Sequence, residues 1–368
     1  MGKHLVLAGG GHAHMVTMAN IHAFCDLGHR VTVIGPSDYH YYSGMGPGML
    51  GSGYEPDDIR FAIRKNVEEE GGIFIRDSIT GIDPVSREVR LESGETVTYD
   101  VVSFNTGSHV NIPVIEGSRE KIYTVKPIER LYQARIDIEQ LSRKQAVTVA
   151  VVGGGPAGAE TAGNAAQLLS HSPFPSKVIL FAGHSLLGRF PKGIQDKSRS
   201  LLQSNGVTIQ EEGHLLAIRD NRLSFDSGHE SVADFIILAT GVHPSSFFQE
   251  AGLQTGPDGG LLVNRFLQSP DYPEVFGGGD CIYYKDQPLD KVGVYAVREN
   301  PVLFHNLKAF LQNEALQPFD PGGDYLLIFN LGNSKGVLRK NWFQISGGLA
   351  FRVKDWIDRK FMEKFQNS

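Results

Sequence analysis

Val147-Thr148-Val149-Ala150-Val151-Val152-Gly153-Gly154-Gly155-Pro156-Ala157-Gly158-Ala159-Glu160 is the stretch that decides the fold. An apolar, β-branched run meets three glycines and a proline, then an alanine-rich segment reaching Leu169. The run reads as a buried parallel strand and the segment as a helix. Between them the chain turns sharply, so that the unpaired N–H groups of the helix N-terminus point at a pyrophosphate. Gly153 permits the turn, Gly155 lets the phosphate reach the backbone, and Gly158 lets helix and strand pack closely. Pro156 and Ala157 open the helix, where a missing proline N–H is harmless.

A second turn of this kind lies at the other end of the chain: Lys3-His4-Leu5-Val6-Leu7-Ala8-Gly9-Gly10-Gly11-His12-Ala13-His14. His14 stands where the third glycine belongs, which asks the helix to sit farther from the strand. His12 and His14 read either as cationic phosphate anchors or as plain turn and helix-start residues. No cysteine or carboxylate cluster accompanies them, so no metal is expected. Two turns imply two nucleotide cofactors held face to face, as hydride transfer from a nicotinamide to a flavin requires. The chain also repeats itself at domain scale. Tyr99 to Ser108 reads as a strand ending in Thr106-Gly107, and Asp234 to Val242 as one ending in Thr240-Gly241.

Outward from the first turn, a helix is expected to about Leu27 and a strand over Val31–Ile34. That strand ends in Gly35-Pro36, where an NAD-type unit would carry an acid; Asp38 is the nearest carboxylate. Tyr39 to Leu50 is aromatic and glycine-rich around Pro47. It reads equally as an apolar wall beside an isoalloxazine ring or as an ordered loop with buried tyrosines. Phe74-Ile75 and Ile79–Ile82 read as strands, and residues 87–98 as a hairpin turning at Ser93-Gly94. Asp280 follows Gly277-Gly278-Gly279 at an expected helix start, within reach of a ribityl hydroxyl or a water-bridged phosphate. A further helix is expected from about Leu303 to Leu311, its N-terminus favouring negative charge at the flavin carbonyl end.

The chain has 368 residues, enough for two ordinary domains and an appendage. Its net charge of −6 argues against nucleic acid as partner. Forty-three glycines, about 12% against an ordinary ~7%, gather at strand ends and fit tight turns around ligands. Cys25 and Cys281 are the only cysteines, which excludes a disulfide framework and a Cys-x-x-Cys redox pair. No apolar run approaches the ~20 residues that span a bilayer. The expected location is the cytoplasm, or the cytoplasmic face of a membrane.

Together, the two turns, the two Thr-Gly strand ends and the Gly-Gly-Asp resemble the pyridine nucleotide–disulfide oxidoreductases, over most of residues 1–315. Within that group the chain is similar to type II NADH dehydrogenases and sulfide:quinone oxidoreductases. It is most similar to the flavoprotein domains fused ahead of selenophosphate synthase, through Tyr42-Ser43-Gly44-Met45 with Pro47-Gly48, Val125-Lys126-Pro127-Ile128-Glu129, and Lys354 to Met362. The resemblance implies an α/β fold of two Rossmann-like, three-layer domains. The FAD domain is discontinuous, over 1–117 and 245–318; the NAD(P)H domain covers 118–244, and 319–368 is a C-terminal appendage.

The resemblance also implies roles. Gly9, Gly10, Gly11, His12 and Ala13 would line the FAD pyrophosphate, Ile79 would bind adenine through its backbone, and Asp280 would hold the ribityl chain. Pro36, Pro47, Thr106, Gly107, Gly279 and Ala296 would lie against FAD. Gly153, Gly155, Pro156, Ala157, Gly158 and Gly241 would serve NAD(P)H. Glu160 matches a glutamate near the nicotinamide, and Glu160 and Lys126 are the candidate catalytic groups. The implied activity is FAD-dependent NAD(P)H oxidation, with electrons passing to an acceptor, a quinone leading.

Departures qualify this. A sulfide oxidase needs cysteines beside the flavin, and neither cysteine is placed for that. Gly293 to Arg298 lacks the two glutamines of the type II quinone mouth. The strand Val178–Phe181 ends in Ala182-Gly183-His184, with neither an acid for NADH nor an arginine for NADPH, although His184 or Arg189 could accept a 2′-phosphate. Two alternatives stay open: a reductase of a selenium or sulfur species linked to selenophosphate metabolism, and a non-catalytic redox-sensing flavoprotein that binds a partner. A homodimer is compatible with all of them.

At the C-terminus, Leu349, Val353, Trp356, Ile357, Phe361 and Phe365 recur at helical spacing, flanked by five bases and three acids. Such a helix lies on a membrane surface or docks on its own FAD domain or a second subunit; the mixed charge favours docking.

Overall fold

The computed structural model describes residues 2–366. Two five-stranded parallel sheets organise it, and each is built around one glycine turn. In the first, His4–Ala8 is central, flanked by Arg30–Gly35 and Ile73–Arg76 on one side and Val101–Phe104 and Val275–Gly277 on the other. In the second, Thr148–Val152 is central, flanked by Lys177–Phe181 and Val207–Gln210 on one side and Phe235–Leu238 and Ile122–Thr124 on the other. The central strands are buried almost throughout, as continuous apolar runs in a sheet covered on both faces should be.

The repeat extends to single hydrogen bonds. Gly9 N–H donates to Ile34 O at 2.9 Å and Gly153 N–H to Phe181 O at 2.8 Å. Asn105 N–H donates to Ala8 O, and its counterpart Ala239 N–H to Val152 O. The hairpin at Ser93-Gly94 forms as read, between Glu88–Leu91 and Thr96–Thr98.

Four expectations are corrected. The helix after the first turn does not run to Leu27. It breaks into a 3-10 turn, His12–His14, and two short helices, Met15–Met18 and His22–Cys25. At the break the Asn20 side chain donates to Val16 O at 2.8 Å, taking a carbonyl that a continuous helix would use. Secondly, Tyr39–Leu50 is not all loop: Gly46–Leu50 is a buried helical turn, with Pro47 in its first turn, where proline is tolerated. Thirdly, the helix expected from Leu303 begins at Gly293 and runs to Gln312 through Pro301. An interior proline costs ~3 kcal/mol. Docking of this helix offsets it: Asn300 Oδ1 accepts from Val16 N–H at 2.8 Å, and Ala296, Val302 and Leu303 are buried. Asp280 itself lies in a separate 3-10 turn, Gly279–Cys281.

The fourth correction concerns the C-terminal helix, Gly348–Gln366. Its buried residues are Ala350, Lys354, Asp358, Met362 and Phe365, an i, i+4 stripe containing two charges. Leu349 and Trp356, expected on the apolar face, are 64% and 63% exposed. The helix docks on the first unit. Tyr54 donates to Asp355 at 2.7 Å, Lys354 to Gly44 O at 2.8 Å, and Gln366 to the carbonyls of Asp57 and Arg60. Among the described residues, no helix is long and apolar enough to cross a membrane.

Candidate functional site

The first glycine turn is shaped by Asn105, which stands directly before Thr106-Gly107. Its side chain accepts from Ala13 N–H at 3.2 Å and donates to Gly278 O at 2.7 Å. That clamp draws the turn against Gly278-Gly279-Asp280. A Cβ on Gly9 would lie 2.3 Å from Asn105 O, and one on Gly11 would lie 2.0 Å from Asn105 Oδ1, so both positions require glycine. His14 is fully buried between Gly9 O, 2.7 Å from Nδ1, and Ser103 Oγ, 2.8 Å from Nε2. The imidazole thus fills the gap left by the missing third glycine. Burial depresses it to about 4, so it is neutral. His12 is likewise held neutral by burial, with His40 and Lys126 adding to the effect. Burial therefore works against a charged role for either histidine.

His12 nonetheless bears on the ligand. Its Nδ1 lies 3.1 Å from His40 Nε2, while its Nε2 is buried with no hydrogen-bond partner. A buried, unpaired ring nitrogen beside a glycine turn fits a polar ligand group. A Cβ at Gly107, in the left-handed region at φ +70°, would meet nothing within 4 Å, so space remains beside the strand end. These residues fit FAD.

The second turn is open. Gly155 is exposed and a Cβ there would meet nothing within 4 Å; the same holds for Gly241 at φ +91°. Gly153 and Gly158 are closed, their Cβ positions falling 2.1 Å from Ala239 O and 1.8 Å from Gly153 O. The backbone thus requires glycine at Gly153 and Gly158 and leaves the Gly155 position open. Pro156 and Ala157 begin the helix Pro156–Leu169 on its accessible side.

Asp280 is enclosed by Lys126, whose Nζ lies 2.5 Å from Oδ2, and by Ser108, whose hydroxyl donates at 2.8 Å. Burial alone would push the Asp280 carboxyl up. Lys126 and Ser108 outweigh it and hold the carboxyl below its ordinary range. Ala296 faces this turn: its Cβ is 3.6 Å from the Cβ position of Gly279. Cys281, the next residue, donates to the carbonyls of Phe104 and Gly278, and burial raises its thiol to about 11. Such a thiol is inert.

Glu160 lies one turn into the second glycine-turn helix, where Oε1 accepts from Asn330 N–H at 2.8 Å. Burial pushes its carboxyl up to about 7, against the opposing pull of Lys354. Lys354 donates to Asp358 Oδ2 at 2.7 Å and to Gly44 O, and Tyr42 donates to Asp358 Oδ1 at 3.1 Å. Burial works against the Lys354 cation, but Asp358 and Glu160 hold it protonated. One charged cluster therefore joins the second unit (Glu160), the first (Tyr42, Gly44) and the C-terminal helix. Phe361 covers it, with its ring centroid 4.9 Å from Tyr42 and 5.8 Å from His12.

The two candidate catalytic groups are not partners: Lys126 serves Asp280, and Glu160 faces Lys354. Asp38 is engaged by Arg64 at 2.8 Å, and Pro36 is exposed. Pro47 is buried and Ile79 half-buried at the head of the strand Ile79–Asp83. Sequence reasoning missed Asn105, Ser108, Glu299, Lys354 and Asp358. Glu299, on the long helix, accepts from Gly279 N–H, and burial raises it to about 7. A signal for Asn105 was available, since the equivalent residue of the second copy is Ala239.

Residues 3–303 match the family described as pyridine nucleotide-disulphide oxidoreductase, whose members bind FAD and NAD(P)H. Among curated proteins, ferroptosis suppressor protein 1 of Taeniopygia guttata is 25% identical over 288 residues, covering 75% of this chain and 73% of that protein. The NADH dehydrogenase-like protein YutJ of Bacillus subtilis is 23% identical over 291 residues, with 76% of each covered. Among solved structures, the sulfide:quinone oxidoreductase of Aquifex aeolicus aligns with a TM-score of 0.77 at 18% identity, over 100% of this chain and 92% of that one. NDH2 of Plasmodium falciparum in complex with NADH aligns with a TM-score of 0.77 at 14% identity, over 100% and 99%. At these identities the structures establish the fold.

Proposed function

The chain belongs to the pyridine nucleotide-disulphide oxidoreductase family, and from that premise we propose that it is an FAD-dependent NAD(P)H oxidoreductase of the type II NADH dehydrogenase kind, with a quinone as acceptor. The observation that carries the proposal is the Glu160–Lys354–Asp358–Tyr42 cluster, in which Lys354 and Asp358 are buried and Glu160, on the helix after the second glycine turn, and Tyr42 are half-buried. Bound FAD supplies the two-electron chemistry. We assign it to the first unit, with the turn Gly9–Ala13, His12 Nε2 and Asp280 as its contacts, and NAD(P)H to the turn Gly153–Gly158. The domain limits near residues 117 and 244 belong to the same proposal.

The cluster's role is set by proton counting. A hydride brings two electrons and one proton, whereas a quinol carries two protons, so one more must be delivered. Glu160, protonated below about pH 7, is the group we assign to hold that proton. Lys354 sets its charge balance, and Tyr42 and Asp358 hold Lys354 in place. The exposed Trp342, Phe343, Leu349 and Trp356 are the residues we assign to contact with a membrane surface, where quinones reside.

Gly155→Val tests the assignment of the second turn. A Cβ there would meet nothing within 4 Å and Gly155 is exposed, so the variant is expected to fold and keep FAD while losing NAD(P)H binding. Equilibrium dialysis with both nucleotides measures this; unchanged binding would remove the nucleotide from this turn. Gly158→Val serves as contrast: its Cβ would lie 1.8 Å from Gly153 O, so it is expected to disrupt the unit itself. The acceptor is tested by turnover of the FAD-loaded protein with NAD(P)H and a soluble quinone. A rate no greater than that with oxygen alone would exclude quinone.

A further inference from the structure

We propose that His40 and His12 form a two-imidazole proton relay, which carries a proton from water to the cofactor on the first glycine turn when that cofactor is reduced and carries it back on reoxidation. This rests on the reading that FAD occupies the turn. The observation behind it is a chain of ring nitrogens with an unpaired nitrogen at each end. At the inner end, His12 is 8% exposed and its Nε2 is buried with no hydrogen-bond partner. In the middle, His12 Nδ1 lies 3.1 Å from His40 Nε2. At the outer end, His40 is half-buried, and its Nδ1 has no hydrogen-bond partner among the described residues.

Packing holds both rings in place. His12 opens the 3-10 turn after Gly11, and Phe361 of the C-terminal helix stacks on it, with centroids 5.8 Å apart at 26°. His40 sits opposite Phe61 in the pairing of the strands His40–Tyr41 and Arg60–Phe61, and the two rings lie 6.4 Å apart at 16°. Both imidazoles are neutral. Burial, then His40 and Lys126, hold His12 well below its ordinary range; burial and Lys126 bring His40 down to about 4. The other polar neighbours are engaged elsewhere: Arg60 pairs with Asp57, and Tyr42 donates to Asp358 at 3.1 Å.

A neutral imidazole has one N–H and one lone pair, and the partner of one nitrogen decides which of the two carries the proton. The pair therefore has two matched states. In the first, His40 Nε2–H donates to His12 Nδ1, and His12 presents Nε2–H inward. In the second, His12 Nδ1–H donates to His40 Nε2, His12 Nε2 presents a lone pair, and His40 Nδ1 carries the outer proton. Passing from first to second breaks the His12 Nε2–H bond and gives that proton to the cofactor. The His40 Nε2 proton moves to His12 Nδ1, and His40 Nδ1 takes one from water, so neither ring keeps a charge. A hydride brings the cofactor two electrons and one proton, and the relay adds a second proton. On reoxidation the hydride leaves for the acceptor, the relayed proton returns outward, and the pair is reset. The proton assigned to Glu160 is a different one, which the acceptor takes. A phosphate would need only a fixed donor from His12 and has no use for a second imidazole at Nδ1.

The experiment is nitrogen-15 NMR of the FAD-loaded protein with labelled histidines, oxidised and then reduced with dithionite. His12→Gln and His40→Gln assign the signals. His12 Nε2 is expected to carry the proton in the oxidised protein and to lose it in the reduced one, with His40 Nδ1 changing in the opposite sense. A His12 tautomer that does not change, as a phosphate contact would give, overturns the relay and leaves the oxidoreductase reading standing. A change under dithionite in a protein whose flavin NAD(P)H does not bleach supports the relay while that reading falls. A protein that retains no FAD overturns both. Stopped-flow reduction by NAD(P)H with a pH-indicator dye follows the proton itself. In the wild type its uptake is expected to keep pace with flavin bleaching. In His40→Gln the amide can hold His12 Nδ1 but cannot pass a proton, so uptake is expected to lag bleaching at least tenfold. Uptake that keeps pace in this variant overturns the relay.

Discussion

Lys354→Met is expected to lower the unfolding free energy of the FAD-loaded protein by about 3–5 kcal/mol, the usual cost of stranding a buried charge. The Lys354 and Asp358 side chains are 11% and 6% exposed, and among the described residues the carboxylate has only Lys354 and the Tyr42 hydroxyl to hold it. Removing the cation leaves Asp358 and Glu160 facing each other in an enclosed space. The C-terminal helix then loses its bond to Gly44 O as well. A second variant separates charge from packing. Lys354→Met with Asp358→Leu removes both charges, and apolar replacement of a buried pair is often neutral. The double variant is expected to regain most of the stability but not the turnover. Denaturant unfolding reads both. A loss below about 1 kcal/mol in the single variant would mean that the pair is solvated and the cluster is not a unit.

Glu160→Gln should retain the hydrogen bond from Asn330 N–H, because the amide oxygen can still accept it. It cannot donate a proton as an acid. Turnover with a quinone is therefore expected to fall at least ~100-fold, the lower bound for losing a positioned general acid, with FAD still bound. The pH dependence gives a second reading. Burial raises Glu160 from 4.5 to about 7, so the carboxyl is protonated below about pH 7 and ionised above. Acting as an acid, it makes kcat fall as pH rises through about 7, and the glutamine variant lacks that limb. Stability has the same sign. A carboxyl whose pKa is raised on folding contributes stability that is full below 4.5 and lost as pH rises towards 7. The wild type should lose stability relative to Glu160→Gln across that interval. A kcat that is flat from about pH 5 to 9 would remove Glu160 from proton delivery.

Much of the fold was legible in the sequence because two signals are local. A β-branched run ending in glycines and leading into an alanine-rich stretch admits few structures, and strand–glycine turns occur twice. The Thr-Gly strand ends and the hairpin at Gly94 were read for the same reason. The misreadings arose where distant contacts overrode local preference. Pro301 and Gly293 look like breakers, yet the helix runs through them because Ala296, Asn300 and Leu303 dock on the first unit. Asn20 interrupts a helix that periodicity alone would continue.

The site was less legible than the fold. Lys354 and Asp358 were read among the charges flanking the apolar face of the C-terminal helix. Only the arrival of Gly44, Tyr42 and Glu160 from other parts of the chain makes them interior. His14 looked like a defect in a glycine motif, and the structure shows it bridging Gly9 and Ser103 in place of the close packing. Asn105 was visible, with Ser103, as one of two polar exceptions between the two strand ends, where the second copy has Ala239 and Ile237. Its function as a clamp depends on Gly278, 173 residues away.

If a nucleotide on the second glycine turn reduces a flavin on the first, the flavin must bleach without any acceptor present. Anaerobic titration of the purified, FAD-loaded protein with NADH and then NADPH, read by flavin absorbance, isolates that half-reaction. About one equivalent of a reduced nucleotide is expected to bleach the flavin, since each hydride carries the two electrons that one flavin takes. A bound flavin that neither nucleotide bleaches would contradict the proposed transfer between the two turns.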